Sequence, residues 1–204
     1  MVFMNDLDKI IDQALSILRK KSIDGYEVYL DQSSHFYVES KDGKVDTLQT
    51  SHAFGMAFRI INRQRMGFSY TTSRGRVLST SNPSQTFSEV VPGGMERMIE
   101  DAINGAEATS ADPCFDFAPV LKTPPPHLPI SVTPLFDESL EGVPEKKKIE
   151  KAKLLEEAVH SVDPERIKKV RKASYEEGHS RKTLINSNGL RFSYTSTLTS
   201  VSVM

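Results

Sequence analysis

The chain has 204 residues, 38 % of them hydrophobic and 26 % charged. That size and balance fit one globular domain, or one domain and part of another, and exclude a disordered chain. Its 26 basic and 27 acidic side chains leave a formal net charge of -1, so there is no general pull toward nucleic acid or an anionic membrane, and neither is expected as a partner. The single cysteine, Cys114, excludes a disulfide within the chain and any multi-cysteine metal site. The start, MVFMNDLDKII, lacks the basic-then-apolar pattern of a secretory leader, and no run of about 18 apolar residues is present. A cytoplasmic location is the default expectation.

The first element reads as a helix. Leu7, Ile10, Ile11, Ala14, Leu15 and Leu18 form one apolar stripe at 3.6-residue spacing, Asn5 or Asp6 caps it, and Asp24-Gly25 stops it. Asp6 and Asp8 suit its positive end, and Arg19, Lys20 and Lys21 its negative end. Three short strands follow. Tyr26, Val28 and Leu30 alternate with polar residues, Phe36 and Val38 do the same, and Lys41-Asp42-Gly43 makes a tight turn with glycine at positive φ. Lys44 to Thr50 is the third strand, in which Val45 and Leu48 are out of phase unless a bulge intervenes.

Residues Ala53 to Thr72 read as one long hairpin around Asn62-Arg63-Gln64-Arg65. Phe54, Met56, Phe58 and Ile60 share a large apolar face, whereas Gly55, Ala57 and Gly67 mark a small-residue face that lets another backbone come close. A core hairpin is the plain reading of this pattern. A ligand or an extended peptide laid on the small face is the alternative. Short turns throughout make the pairing antiparallel.

Ser73 to Gly93 is a polar loop. A second helix runs from about Gly94 to Ala108 on a stripe of Met95, Met98, Ile99, Ala102, Ile103 and Ala106, read as core packing rather than a partner-binding methionine face. Thr109 to Pro134 is irregular, and Pro124-Pro125-Pro126 favours an extended connector, with a recognition ligand as the alternative reading. Pro144 then opens a third helix bearing Ile149, Ala152, Leu155, Val159 and Val162 on one face, widened by Leu154 and Ala158. Its Lys146, Lys147 and Lys148 form either a basic patch or a solvated face balanced by Glu145, Glu150, Glu156 and Glu157. Arg166 to Glu177 is assigned to strand. Ser187-Asn188-Gly189-Leu190 gives a two-residue turn signal, and Phe192 to Val203 alternates as one strand. The chain stops at Met204 on that strand, and further polypeptide is expected in the full-length protein.

No catalytic, cofactor-binding or metal-ligating residue is assigned. His35, His52, His127, His160 and His179 share no i, i+4 spacing, and there is no H-E-x-x-H, nucleophile elbow, Walker loop or G-x-G-x-x-G. His160 beside Glu156 and Glu157 is read as a histidine at a helix end. Gly93-Gly94 before a helix is read as a hinge rather than a phosphate cradle.

The order of segments carries more than any motif. It comprises the G-x-A-x-R-I hairpin with Gly55, Arg59, Gly67 and Phe68, the D-A-I helix end with Asp101, Ala102, Ala106, Asp112 and Pro113, and the I-N-S-x-G turn with Asn186, Ser187 and Gly189. In this order they resemble the N-terminal region of the TldD/PmbA family, known as modulators of DNA gyrase and as metalloprotease subunits. The resemblance covers nearly the whole chain; the Ser73–Gly93 loop is longer than the family has there. It implies that the zinc motif, H-E-x-x-x-H, belongs to the C-terminal domain of a TldD-type subunit. A PmbA-type (TldE) subunit lacks that motif and pairs with TldD to enclose a chamber for flexible peptides. No site residue is therefore carried onto this chain, and zinc is expected only in a TldD-type partner or a missing domain.

The expectations are these. The fold is α+β, a largely antiparallel sheet with helices packed on one face, leading into the start of a second β-rich domain. Residues 1–122 form the N-terminal domain, 123–143 a proline-rich linker, and 144–204 a helix and hairpin that continue it toward an absent C-terminal domain. The function is structural and chamber-forming within a TldD/PmbA-type metalloprotease, as a homo- or heterodimer acting on peptide substrates. The alternative is a stand-alone peptide-binding or protein-interaction module.

Overall fold

The computed structural model describes residues 4–77, 92–120 and 135–204. Among these the chain runs α1 (Met4–Leu18), β1 (Gly25–Lys41), β2 (Lys44–Asn62), β3 (Arg65–Val77), α2 (Pro92–Glu107), a 3-10 turn at Glu138–Leu140, α3 (Glu145–Val162), β4 (Ala173–Asn186) and β5 (Arg191–Val203). The strands pair antiparallel in the order β3-β2-β1-β4-β5. The expected α+β fold with helices on one face is what forms. Because β4 pairs with β1 from Glu27↔Asn186 to Ser40↔Ala173, the C-terminal hairpin joins the same sheet as the N-terminal strands.

Strands are longer and fewer than the sequence suggests. The four short segments expected between Tyr26 and Ile61 are two continuous strands, since Ser33↔Ala53 and Ser34↔His52 remain paired through the polar stretch. Neither Gln32-Ser33-Ser34 nor Ser51-His52 contains the glycine or proline that would break a ladder. The expected bulge is present: Glu39 pairs with Thr47 but Ser40 with Val45, leaving Asp46 over. Both hairpin turns have two residues with left-handed backbone, Asp42 (φ 51) with Gly43 (φ 70) and Arg63 (φ 52) with Gln64 (φ 60), the geometry that matches strand twist.

The core lies between the sheet and the helices. Val28, Leu30, Phe54, Met56, Phe58, Ile60 and Ile185 meet Leu7, Ile11, Ala14, Leu15 and Leu18 of α1 and Met95, Ile99 and Ala102 of α2. The stripes expected on α1 and α2 are thus the core faces, the α2 methionines included. Helix α1 begins at Met4, so Asn5 and Asp6 fall inside its first turn, and Arg19 to Lys21 follow its last residue. Farther along the same strands, Phe36, Val38 and Tyr175 form a second cluster with Ala152 of α3, flanked by Leu48 and Ile149.

Three expectations are corrected by packing. Gly67 lies on the helix-facing side, because a two-residue turn pairs Ile60 with Gly67 and Ala57 with Tyr70; the small-residue face is therefore split. A Cβ on Gly67 would sit 1.8 Å from the Ala102 carbonyl oxygen, so α2 rests directly on its backbone. On α3 the buried residues are Ala152 and Glu156, while Leu154 and Val162 are exposed. Glu156 accepts the Ser40 hydroxyl at 2.6 Å and faces the Gly43 amide at 3.3 Å, which rotates the helix toward the β1–β2 turn. Arg166 to Lys172 is turn and coil up to Ala173, since Asp163 closes a turn by accepting the Ile167 amide at 2.8 Å.

Two further boundaries move. The β4–β5 loop has four residues, Ser187 to Leu190, not two, with Gly189 at φ 89, and the Asn186 side chain accepts the Asn188 and Leu190 amides at 3.1 Å. Strand β3 runs to Val77 and α2 starts at Pro92, inside the expected Ser73–Gly93 loop. The remainder of that loop, the triple proline and His127 lie outside the described residues.

Candidate functional site

Among the described residues, the sheet face opposite the helices carries no helix. Cross-strand register places Tyr70, Ala57, Tyr29, Leu184 and Phe192 in one row spanning all five strands. Phe68 stacks on Tyr70 at one end, with ring centroids 5.7 Å apart. Phe192 and Tyr194 pack 5.7 Å apart at the other. Phe68, Tyr70, Phe192 and Leu198 are more than half exposed, and large apolar side chains in an exposed contiguous set are the mark of a contact surface. Gly55 and Ala57 form the floor of a shallow trough of about 400 Å³ walled by Tyr29, Phe68 and Tyr70.

Several ionisable side chains among the described residues of this face contact one another across neighbouring segments. Arg59 holds Glu27, His35 Nε2 lies 2.6 Å from Glu176, Lys172 reaches Glu39 at 3.4 Å, and Lys182 lies 4.0 Å from Asp31. The Tyr37 hydroxyl donates to Glu39 at 2.7 Å and, with Lys172, holds that carboxyl below its usual range against partial burial. At one end of the sheet the segment after α2 wraps round: Phe117 is buried beneath Arg59, 5.6 Å away, and Asn186 and Asn188 donate to the Ala118 and Phe117 carbonyls.

A second cluster lies under α3. Glu177 is 2 % exposed, and accepts Lys148 Nζ at 2.6 Å, the Tyr175 hydroxyl at 2.8 Å and His179 Nε2 at 3.0 Å. Burial alone would raise its carboxyl, but the Lys148, His179 and Tyr175 hydrogen bonds outweigh it and hold the group below the usual range. Burial, aided by the Glu177 carboxylate, pushes the Tyr175 hydroxyl well above its ordinary value. Lys148 also lies 5.0 Å from the Phe36 ring centre. The arrangement locks α3 to β4 and β1. The sequence carried a signal for it: Tyr175, Glu177 and His179 are in phase with Thr183 and the buried Ile185.

The other residues singled out in the sequence do not converge. His35 faces the open side and His179 the helices, and His160 sits in the last turn of α3, as expected. Burial lowers the His52 pKa. Cys114 is exposed, and Gly93 and Gly94 lie within α2 rather than before it. Among the described residues no group of three His, Cys, Asp or Glu side chains is placed to hold a metal ion. The pair of Glu177 and His179 has the Lys148 ammonium seated on the same carboxylate oxygen, and His35 with Glu176 is a pair without a third ligand among the described residues. These residues do not fit a zinc ion. Among the described residues no helix is long and apolar enough to cross a membrane.

The architecture defines a two-layer α+β domain, helices on one side of an antiparallel sheet and an aromatic row on the other. Residues 26–106 match the model of the PmbA/TldA metallopeptidase domain 1, and residues 138–204 that of the PmbA/TldA metallopeptidase central domain. The chain belongs to the TldD/PmbA family. Among curated proteins none matches.

Three solved structures share the fold. One from Thermotoga maritima, named as a proposed modulator of a DNA gyrase, matches at TM-score 0.68 and 15 % identity over 97 % of this chain and 39 % of its own. One from Bacteroides thetaiotaomicron, with the same kind of name, matches at 0.68 and 19 % over 100 % and 41 %. TldE from Thermococcus kodakarensis matches at 0.63 and 14 % over 97 % and 38 %. The chain spans about two-fifths of the length of each.

Proposed function

We propose that this chain is the N-terminal, structural part of a TldD/PmbA-type metallopeptidase subunit. It contributes to the subunit interface and to the wall of a chamber in which flexible peptides are cut. The zinc chemistry belongs to a TldD-type partner or to a catalytic domain outside these residues, and this segment holds no cofactor of its own. The observation that carries the reading is the sheet itself. The two family segments are joined edge to edge through the β1–β4 ladder, so they act as one rigid plate, and the ionisable cluster inside it is spent on fastening α3. A rigid plate with one finished and one unfinished face is suited to support and contact.

The test is incubation of the purified chain with an unstructured peptide and zinc, followed by mass spectrometry. The expected result is intact peptide. Cleavage lost on adding a chelator overturns the proposal. The peptide-module alternative supposed Gly55, Ala57 and Gly67 on one face, and the register separates Gly67 from the other two.

A further inference from the structure

We propose that Asn188, joined to Gly189 in the β4–β5 loop, is a site of spontaneous deamidation, and that the carboxylate it produces unfastens the segment around Phe117 from the end of the sheet. The modification is a property of this chain itself and is independent of the metallopeptidase reading.

The reaction needs only the chain and water. The Gly189 amide nitrogen loses its proton to solvent and attacks the side-chain carbonyl carbon of Asn188. The bond from that carbon to Nδ2 breaks, and Nδ2 takes up a solvent proton and leaves as ammonia, closing a cyclic imide. Water then opens either carbonyl of the ring, giving aspartate or isoaspartate. One amide and one water become one carboxylic acid and one ammonia, with no change of oxidation state. Glycine favours the attack because it has no Cβ to crowd its nitrogen.

The chain holds two Asn-Gly pairs, Asn104-Gly105 and Asn188-Gly189, and the fold treats them differently. Both asparagines are exposed, so exposure does not separate them. Asn104 lies inside α2, where each amide is tied to the carbonyl four residues back. Swinging the Gly105 nitrogen over the Asn104 side chain means unwinding a turn. Asn188 lies beyond the last β4–β5 pair, Ile185 with Arg191. There the Gly189 amide has the Asn186 carbonyl at 3.2 Å, the long end of the hydrogen-bond range, and no helix to hold it.

The product cannot do what the asparagine does. Asn188 Nδ2 donates to the Phe117 carbonyl at 2.6 Å and to Asp116 Oδ1 at 3.3 Å. A carboxylate there has no proton for either acceptor and sets a second negative charge against Asp116. The bonds it loses hold Phe117, which is 3 % exposed, with its ring against the Gly25 backbone and beside Arg59. The Asn186 bond to the Ala118 carbonyl at 2.8 Å stays, so the segment loosens at Phe117 while the sheet keeps its form. Isoaspartate also lengthens the backbone by one carbon, in the loop whose Asn188 and Leu190 amides the Asn186 side chain accepts.

The first experiment incubates the full 204-residue chain in mildly alkaline buffer, folded and in urea, and maps its peptides by mass spectrometry. In the folded chain Asn188 should convert about tenfold or more faster than Asn104, which must wait for α2 to open locally. In urea the two should convert at similar rates. Equal rates in the folded chain, or an Asn188 that converts only in urea, overturn the inference. The second experiment is limited chymotrypsin digestion, reading the cut after Phe117 against the cut after Phe58, which is 0 % exposed in the core. Asn188→Asp should speed the Phe117 cut by about tenfold, the effect of the lost hydrogen bonds on a local opening, and leave the Phe58 cut unchanged. Adding Asp116→Asn exchanges amide and carboxylate and should return the Phe117 cut toward the parent rate. Parent-like cutting in Asn188→Asp overturns the unfastening. So does an equal rise at Phe58, which marks a failed fold, or a double variant no slower than Asn188→Asp.

Discussion

Replacing Gly67 by alanine would place a methyl carbon 1.8 Å from the Ala102 carbonyl oxygen and 2.4 Å from the Ala106 amide nitrogen. Both atoms belong to the backbone of α2, so no side-chain rotation relieves the clash. The helix must lift from β3 by about 1.5 Å to restore ordinary contact distances. Lifting strains the Ser69 hydroxyl bond to the Met98 carbonyl and the Thr109 hydroxyl bond to the Met66 carbonyl. It also opens a gap beneath Met95, Ile99 and Ala102, all 1 % exposed or less. Overpacking costs about 1–3 kcal/mol, and the loosened apolar contacts add to it, so about 3 kcal/mol in total is expected. For a chain of this length that lowers the melting temperature by about 6–12 °C. Thermal unfolding followed by circular dichroism measures it, with Gly55→Ala as the control. A Cβ there meets nothing nearer than 3.8 Å, and the change should stay within about 0.5 kcal/mol. Equal melting temperatures for Gly67→Ala and the parent would refute the claim that α2 rests on this backbone.

Glu177→Gln leaves the Lys148 ammonium under α3 without its counter-charge and should destabilise by about 3–5 kcal/mol in urea unfolding, while adding Lys148→Met recovers part of the loss. The Glu177 and Glu39 carboxyls are held below their usual range, so the unfolded chain binds more protons between the unfolded and folded values. Their contribution is full above the ordinary carboxyl pKa and is lost as pH falls through the lowered ones. Stability should therefore begin to fall as pH drops through the ordinary histidine range, where the unfolded chain protonates His52 and the folded one does not, and fall further in acid as the two carboxyls protonate; an unchanged acid limb in Glu177→Gln would count against the assignment. Ser40→Ala removes the 2.6 Å donor to buried Glu156 and should cost about 1–3 kcal/mol, read from the urea midpoint. Changing Arg63→Asn with Gln64→Gly relieves two left-handed non-glycine residues and should stabilise by about 1 kcal/mol in the same assay.

What could be read from the sequence was local. The α1 and α2 stripes have helical period, the Asp42-Gly43 turn has its glycine, and the Val45–Leu48 phase slip announced the bulge at Asp46. What failed depended on pairing. Whether Gly67 belongs with Gly55 or with Phe58 turns on the number of residues in the Arg63-Gln64 turn, because one residue more or less exchanges the faces. Glu156 looks like a solvated helix residue until Ser40 and the Gly43 amide are brought beside it by a hairpin more than a hundred positions away. The aromatic row on the open face needs the register of four strand pairs at once, and the C-terminal hairpin supplies two of its members. The Tyr175-Glu177-His179 alternation was visible, but an acid on the core side is read as exposed until its lysine is found.

The central claim is that this segment supports a metallopeptidase without housing its metal. Titration of zinc into the folded chain, followed by calorimetry, tests this most directly. The account predicts only weak, non-stoichiometric uptake that is unaltered by His179→Ala. One equivalent bound tightly, and lost in Glu177→Gln or His179→Ala, would contradict it.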